Sequence, residues 1–95
     1  MFVGQYDFDG EPEQLLVAYD RLMTEIPVAS VFFHTCIRRE QGITIIDACP
    51  SASDFAATAA DPDLRALMRD AGLPTPKVTA LGESHAAHAA PAYIT

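Results

Sequence analysis

The sequence predicts an α+β domain in which a four-stranded antiparallel sheet carries two helices on one face. The first observation behind this prediction is the order of the apolar patterns, which is strand, helix, strand, strand, helix, strand. The second is the segment 28–37, VASVFFHTCI, which is apolar on both faces of any strand it forms. Split β-α-β units with right-handed crossovers place both helices on one side of such a sheet. The other side is then left for a second subunit or a ligand.

Length and composition indicate a single domain over residues 1–95, with 49% hydrophobic and 20% charged residues. The net charge of −7 disfavours anionic partners, so we expect neither nucleic acid nor a membrane as a partner. No run approaches the roughly 20 apolar residues of a membrane helix, and the first residues lack a secretory pattern. Cys36 and Cys49 do not form a CxxC pair, which favours reduced thiols in a cytoplasmic protein. A disulfide between neighbouring strands stays open as an alternative.

The first strand and the first helix are predicted from the start of the chain. Residues 1–8 alternate in polarity with Phe2, Tyr6 and Phe8 on one face, which favours a strand with its aromatic side toward the helices. A helix follows over 11–26, and its apolar stripe consists of Leu15, Tyr19, Leu22 and Ile26. The proline after this stripe disfavours helical geometry at the residue before it and ends the helix.

The last part of the chain is predicted to contain a second helix and a fourth strand. Ser51 and Asp54 have the spacing of a capping box and start a helix over 51–72. The pair Asp61-Pro62 is a second start signal, so we expect this helix to kink or break there. A fourth strand follows over 77–89, and the alanine-rich tail after it is expected to be a loose extension.

This pattern resembles the ferredoxin-like dimeric α+β barrel superfamily, with element order βαββαβ. That group includes small antibiotic-biosynthesis-type monooxygenases, polyketide cyclases, muconolactone isomerase-like proteins and stress-responsive barrel proteins. The resemblance covers nearly the whole chain and is one of element order, element lengths and the two-sided second strand, without a motif that specifies the activity. It implies a homodimer in which two sheets pack face to face. It also implies a pocket in each subunit, between sheet and helices or at the barrel mouth.

The hairpin between the second and third strands decides whether two polar side chains meet. Its loop, residues 38–42, is polar and ends in glycine, and the third strand follows over 43–49. An even loop pairs Arg39 with Gly42 and places His34 opposite Asp47, within reach of an imidazole–carboxylate contact. An odd loop with a bulge would put Asp47 on the other face.

The faces of the strands give the candidate ligand contacts. Phe33 and Ile37, with Ile46 and Ala48, form an apolar surface that we expect to face the helices. His34 and Asp47 then face the second surface, toward the dimer partner or a pocket. Further ligand contacts are expected from residues that share this second surface: Gln5, Phe32, Cys36, Glu83 and His85.

The chemistry expected there is cofactor-free proton transfer on a small, largely apolar ligand, as in an isomerase, cyclase or monooxygenase. His34 would act as base or acid and Asp47 would orient it. His34 could instead be a structural residue at the interface, and Asp47 could bond only to a backbone amide or to Arg38. The alternative function is a non-catalytic dimeric interaction or stress-response domain.

A metal-dependent enzyme is disfavoured because the histidines and carboxylates lack a compact ligand spacing. His85 and His88 are three residues apart on an expected strand and would point to opposite faces. Glycine-rich phosphate loops and a dinucleotide-binding fingerprint are absent from the sequence, so no cofactor is expected.

Overall fold

The computed structural model describes residues 1–26 and 32–88, and these ranges contain four strands and three helices. The strands are β1 (Phe2–Asp9), β2 (Phe33–Arg39), β3 (Gly42–Cys49) and β4 (Lys77–Glu83), and the helices are α1 (Pro12–Met23), α2 (Ala52–Ala60) and α3 (Pro62–Ala71). The predicted α+β class and the antiparallel pairing of all four strands are confirmed.

The sheet order is β2-β3-β1-β4. Because β3 lies between β1 and β2, the connection through α1 crosses over one strand. Because β1 lies between β3 and β4, the connection through α2 and α3 also crosses over one strand. The helices therefore join strands that are not hydrogen-bonded to each other.

All three helices contribute buried side chains to the same face of the sheet. The core contains Leu15, Ala18 and Leu22 from α1, Phe55 from α2, Met68 and Ala71 from α3, and Tyr6, Phe8, Ile43, Ile45 and Cys49 from the sheet. Residues two apart on a strand share a face, so the aromatic side of β1 lies beneath the helices, as the sequence predicts.

The helix boundaries follow from local capping. α1 ends at Met23, three residues before the predicted end, and the Thr24 hydroxyl donates to the Arg21 carbonyl at 2.7 Å. The predicted kink in the second helix is a complete break between α2 and α3. Asp61 causes this break because its extended backbone ends α2 while its carboxylate accepts from the Asp63 N–H at 2.9 Å and caps α3.

Two strands differ in extent from the prediction. β2 runs from Phe33 to Arg39, and residues 28–31 of the predicted strand lie outside the described residues. β4 ends at Glu83, short of the predicted end at 89, which also lies outside the described residues. The reason is that β4 pairs with β1, and Glu83 lies opposite Phe2, the first residue of β1. One more backbone hydrogen bond follows, from the Ser84 N–H to the Met1 carbonyl at 2.8 Å, and the pairing between the two segments ends there.

The hairpin has the even register that brings His34 opposite Asp47. Arg39 pairs with Gly42, so the loop contains two residues, and the conditional prediction for this turn is confirmed. Gly42 is required there because a Cβ atom would lie 2.2 Å from the Phe8 carbonyl oxygen of the neighbouring strand.

The predicted sides of β2 and β3 are reversed in the structure. Cys36 and Tyr6 both pair with Ile45, and this cross-strand row lies beneath the helices. His34 and Asp47, each two residues along its strand from this row, therefore also face the helices. Phe33 and Ile37 lie on the open face with 43% and 40% of their surface exposed. The prediction was wrong because it judged β2 by its own hydrophobicity, whereas its pairing through β3 to the aromatic side of β1 decides the face.

Candidate functional site

Hydrogen bonds link three polar side chains from three different elements. His34 on β2 lies opposite Asp47 on β3, and its Nδ1 is 2.5 Å from Asp47 Oδ1. Its other nitrogen, Nε2, is 2.6 Å from the hydroxyl of Tyr19 on α1. The rings of Tyr19 and His34 are stacked, with centroids 5.9 Å apart and an interplanar angle of 13°. The imidazole is therefore held by hydrogen bonds at both of its nitrogens, and the Tyr19 ring lies nearly parallel to it at the Nε2 end.

The chemistry of the groups assigns the donors in this chain. An ionised carboxylate only accepts, so His34 Nδ1 donates to Asp47. In a neutral imidazole Nε2 then accepts from the Tyr19 hydroxyl, whereas an imidazolium would donate to that hydroxyl. Asp47 thus selects one tautomer of the ring, and Tyr19 occupies the nitrogen that would otherwise take up a proton.

His34 and Asp47 line a cavity of about 440 Å³ between the sheet and the helices. Their side chains are 16% and 17% exposed, which leaves both reachable from the cavity although each is largely shielded. Most of the wall is apolar and includes Leu22, Met23, Ile26, Ile45, Leu64 and Met68. The arrangement is a small polar group set into an apolar pocket, which is the usual composition of a small-molecule site.

Two tyrosine hydroxyls belong to the surroundings of the pair. Burial raises the pKa of Tyr6, a lining residue, to about 12, and the charge of Asp47 adds to this effect. Burial likewise raises the pKa of Tyr19 to about 12, with smaller contributions from Cys36 and Asp47. Both side chains therefore remain protonated at neutral pH and can donate a hydrogen bond.

The structure brings together the two predicted catalytic residues but not the five predicted ligand contacts. Gln5 lies on the open face, where its side-chain amide donates to Asp7 at 2.9 Å. Cys36 lies on the helix side, packs against the core and does not line the cavity. Phe32 precedes β2 with 65% of its surface exposed and lies outside the cavity wall.

The two candidates from the end of the chain also lie away from the cavity. Glu83, at the end of β4, accepts a hydrogen bond from the amino group of Met1 at 2.8 Å. His85 follows β4 and is exposed. They lie apart from the pair because β4 is next to β1, whereas β2, which carries His34, is at the opposite edge of the sheet.

Tyr6, Tyr19 and Asp54 belong to the site or its surroundings but were not among the predicted site residues. Tyr19 lies on the apolar stripe of α1 with Leu15 and Leu22, so its position alone indicates a core residue. A phenol hydroxyl within an otherwise aliphatic stripe is the signal that could have pointed to a polar partner. The identity of that partner depends on α1 crossing above β2 and β3, which the sequence pattern does not give.

Comparisons with known proteins leave the family open, since no family model, no curated protein and no solved structure matches the chain. Within 1–26 and 32–88, no helix is long and apolar enough to cross a membrane. In the same ranges no group of three or more His, Cys, Asp or Glu side chains is arranged to hold a metal ion.

Proposed function

We propose that this protein binds a small, largely apolar organic molecule and transfers a proton on it, as an isomerase, cyclase or cofactor-free monooxygenase does. The single observation that carries the proposal is the hydrogen-bonded His34–Asp47 pair in the wall of an otherwise apolar cavity. A carboxylate beside an imidazole orients the ring and stabilises the imidazolium that forms when the ring takes up a proton. The apolar wall would shield an intermediate from water.

The proton would be taken up at His34 Nε2, because Nδ1 is engaged with Asp47. A ligand group must therefore replace the Tyr19 hydroxyl, which is hydrogen-bonded to Nε2. The displaced hydroxyl keeps its own proton, since the Tyr19 pKa is about 12. It can then donate to an oxygen atom of the ligand on which negative charge develops.

The proposed class of protein is the ferredoxin-like dimeric α+β barrel. In support, each helical connection crosses over one strand, as in a split β-α-β unit, and all helices lie on one face. The break at Asp61 departs from the simplest form of this fold, because the second connection contains two helices. The cavity between sheet and helices also agrees with one of the two pocket positions expected for the class.

The proposed dimer would form through the open face of the sheet. Phe33 and Ile37 lie exposed on that face, and a second copy would bury them. We expect a dimer at micromolar concentration in sedimentation or light-scattering measurements, and a monomer would contradict this part of the proposal. Phe33→Asp should dissociate the dimer. Val17→Asp is the matched control, because Val17 is also exposed but lies on α1, on the other side of the sheet.

The test of proton transfer uses β-tetralone, an apolar ketone with acidic C–H bonds, as the probe. We expect the protein to accelerate exchange of these hydrogens with D₂O, measured by NMR, and we expect His34→Ala to lose most of this acceleration. His88→Ala is the matched control, because it removes an exposed histidine outside the cavity. If His34→Ala binds and exchanges this ketone as the wild type does, the assignment of His34 is wrong.

The second candidate function is a non-catalytic dimeric interaction or stress-response domain. The observation that favours it is the exposed apolar surface of Phe33 and Ile37, which would serve a partner whether or not the cavity is filled. A protein that dimerises but binds none of a panel of apolar ketones and phenols would favour this function. A cytoplasmic location is proposed for both candidates, since the free thiols of Cys36 and Cys49 agree with a reducing compartment.

A further inference from the structure

The wall of the cavity carries negative charge without a balancing basic side chain. Asp47, which is largely shielded, and Asp54, which is exposed, both line it, whereas no lysine or arginine of the described residues does. Arg38 and Arg39 form their ion pairs elsewhere, the first with Glu13 of α1 and the second on the open face. An anionic ligand would therefore meet repulsion from these carboxylates, while the nearest basic charge that acts on the wall, Arg65, does not line the cavity.

One carboxylate oxygen in this wall is free to accept a hydrogen bond. Asp47 Oδ1 is taken by His34, but Oδ2 has no hydrogen-bond partner among the described residues. A carboxylate that is mostly shielded from water gains from a further hydrogen-bond donor, most of all from a cationic one. Tyr6 also lines the cavity, and the face of a tyrosine ring attracts cations.

The remainder of the wall suits an apolar body. Met23 and Met68 contribute flexible thioether side chains, which adapt to ligands of irregular shape. Leu22, Ile26 and Leu64 complete this apolar part. The cavity thus offers separate environments for the two halves of an amphiphilic molecule.

We propose that the cavity selects an apolar amine, whose ammonium group binds near Asp47 and Asp54, over the carboxylic acid of the same shape. This inference rests on the proposed function, because it names the class of ligand for the same cavity.

The test compares three probes that share one apolar ring system: naphthylmethylamine, naphthylmethanol and naphthoic acid. Their dissociation constants are measured by titration calorimetry at about pH 8. We expect the amine to bind about tenfold or more tighter than the acid, as for an ion pair that is partly shielded from water. The alcohol is expected to fall between them.

Three variants test which carboxylates cause the preference for the amine over the acid. Asp47→Asn and Asp54→Asn should each reduce the ratio of amine to acid affinity, and circular dichroism checks that both fold. Asp70→Asn removes the same charge from an exposed position on α3 outside the cavity and should leave the ratio unchanged.

The outcomes separate this inference from the proposed function. Equal binding of the three probes, or tighter binding of the acid, overturns the charge preference while leaving an apolar ligand site in place. An unchanged ratio in both cavity variants overturns the assignment to Asp47 and Asp54. If none of the three probes binds, the inference fails together with the apolar site on which it rests.

Discussion

At Gly4, the addition of a single methyl group should disturb the packing of α2 on the sheet next to the candidate site. It lies on β1 directly opposite Asp47, beneath the ring of Phe55 from α2. A Cβ atom at Gly4 would lie 1.9 Å from Phe55 Cε1, 2.2 Å from Cζ and 2.4 Å from Cδ1. The absence of a side chain at Gly4 therefore allows α2 to pack closely on the sheet beside Asp47.

The cost of Gly4→Ala follows from how far Phe55 must move. Ordinary contact begins at 3.4 Å, so the ring must retreat by about 1.5 Å in a close-packed interior. It is only 5% exposed and lies against Phe2 and Tyr6, with ring centroids 5.7 and 5.6 Å away. We expect a loss of about 2 kcal/mol in the free energy of unfolding, as for other overpacked cores. In a domain of this size, that loss lowers Tm by about 8–16 °C.

The assay is urea and thermal denaturation of Gly4→Ala, Phe55→Leu and the double variant, followed by circular dichroism. If the clash is the cause, the smaller leucine should relieve it, and the double variant should be about 1 kcal/mol more stable than the sum of the single effects predicts. A Tm for Gly4→Ala within about 3 °C of the wild type would refute this reasoning. Additive single effects would likewise show that Phe55 is not the obstacle.

Three further predictions concern titratable groups and their hydrogen bonds. Tyr19→Phe leaves Nε2 of the half-buried His34 without its partner and should cost about 1–2 kcal/mol in urea unfolding; an unchanged midpoint would contradict the hydrogen bond. The Thr44 hydroxyl lowers the pKa of Asp7 below its ordinary value of 3.8. This stabilisation of the folded state is present above pH 3.8 and is lost as the pH falls through the lower pKa of folded Asp7. Asp7→Asn should therefore weaken the dependence of the free energy of unfolding on pH in the acid range. Burial raises the pKa of Cys36, so its thiol should react with a disulfide reagent more slowly in the folded protein than in urea.

Much of the fold could be predicted because its signals are local. The element order and the antiparallel pairing follow from apolar periodicity and the spacing of the elements, whereas the two-residue hairpin was one of two registers that the sequence left open. The start of α3 follows from Asp61 and Pro62, which cap and begin a helix without help from tertiary packing. The end of β4 could not be predicted, because it depends on where β1, far away in the chain, stops offering partners.

Only part of the candidate site could be predicted, because its other contacts join residues that are far apart in the sequence. The contact between His34 and Asp47 follows from the hairpin, which joins residues close in sequence. Gln5 and Glu83 were expected beside them from strand alternation alone. The first lies on the opposite face, and the second lies at the far end of β4, beyond an irregularity in its pairing with β1.

The sequence by itself determined which residues share a strand face, and it made the contact between His34 and Asp47 depend on the length of a single turn, because alternation and hairpin pairing act over short distances. The structure decided that this turn contains two residues. Tertiary structure alone decided which face the helices cover, that Tyr19 completes the hydrogen-bonded chain, and that an apolar cavity lies beside it. The alternation of side chains along a strand assigns each residue to one of two faces, but it does not show which face is buried. That choice is made when β3 pairs with β1 and the helices pack on the aromatic side of the sheet.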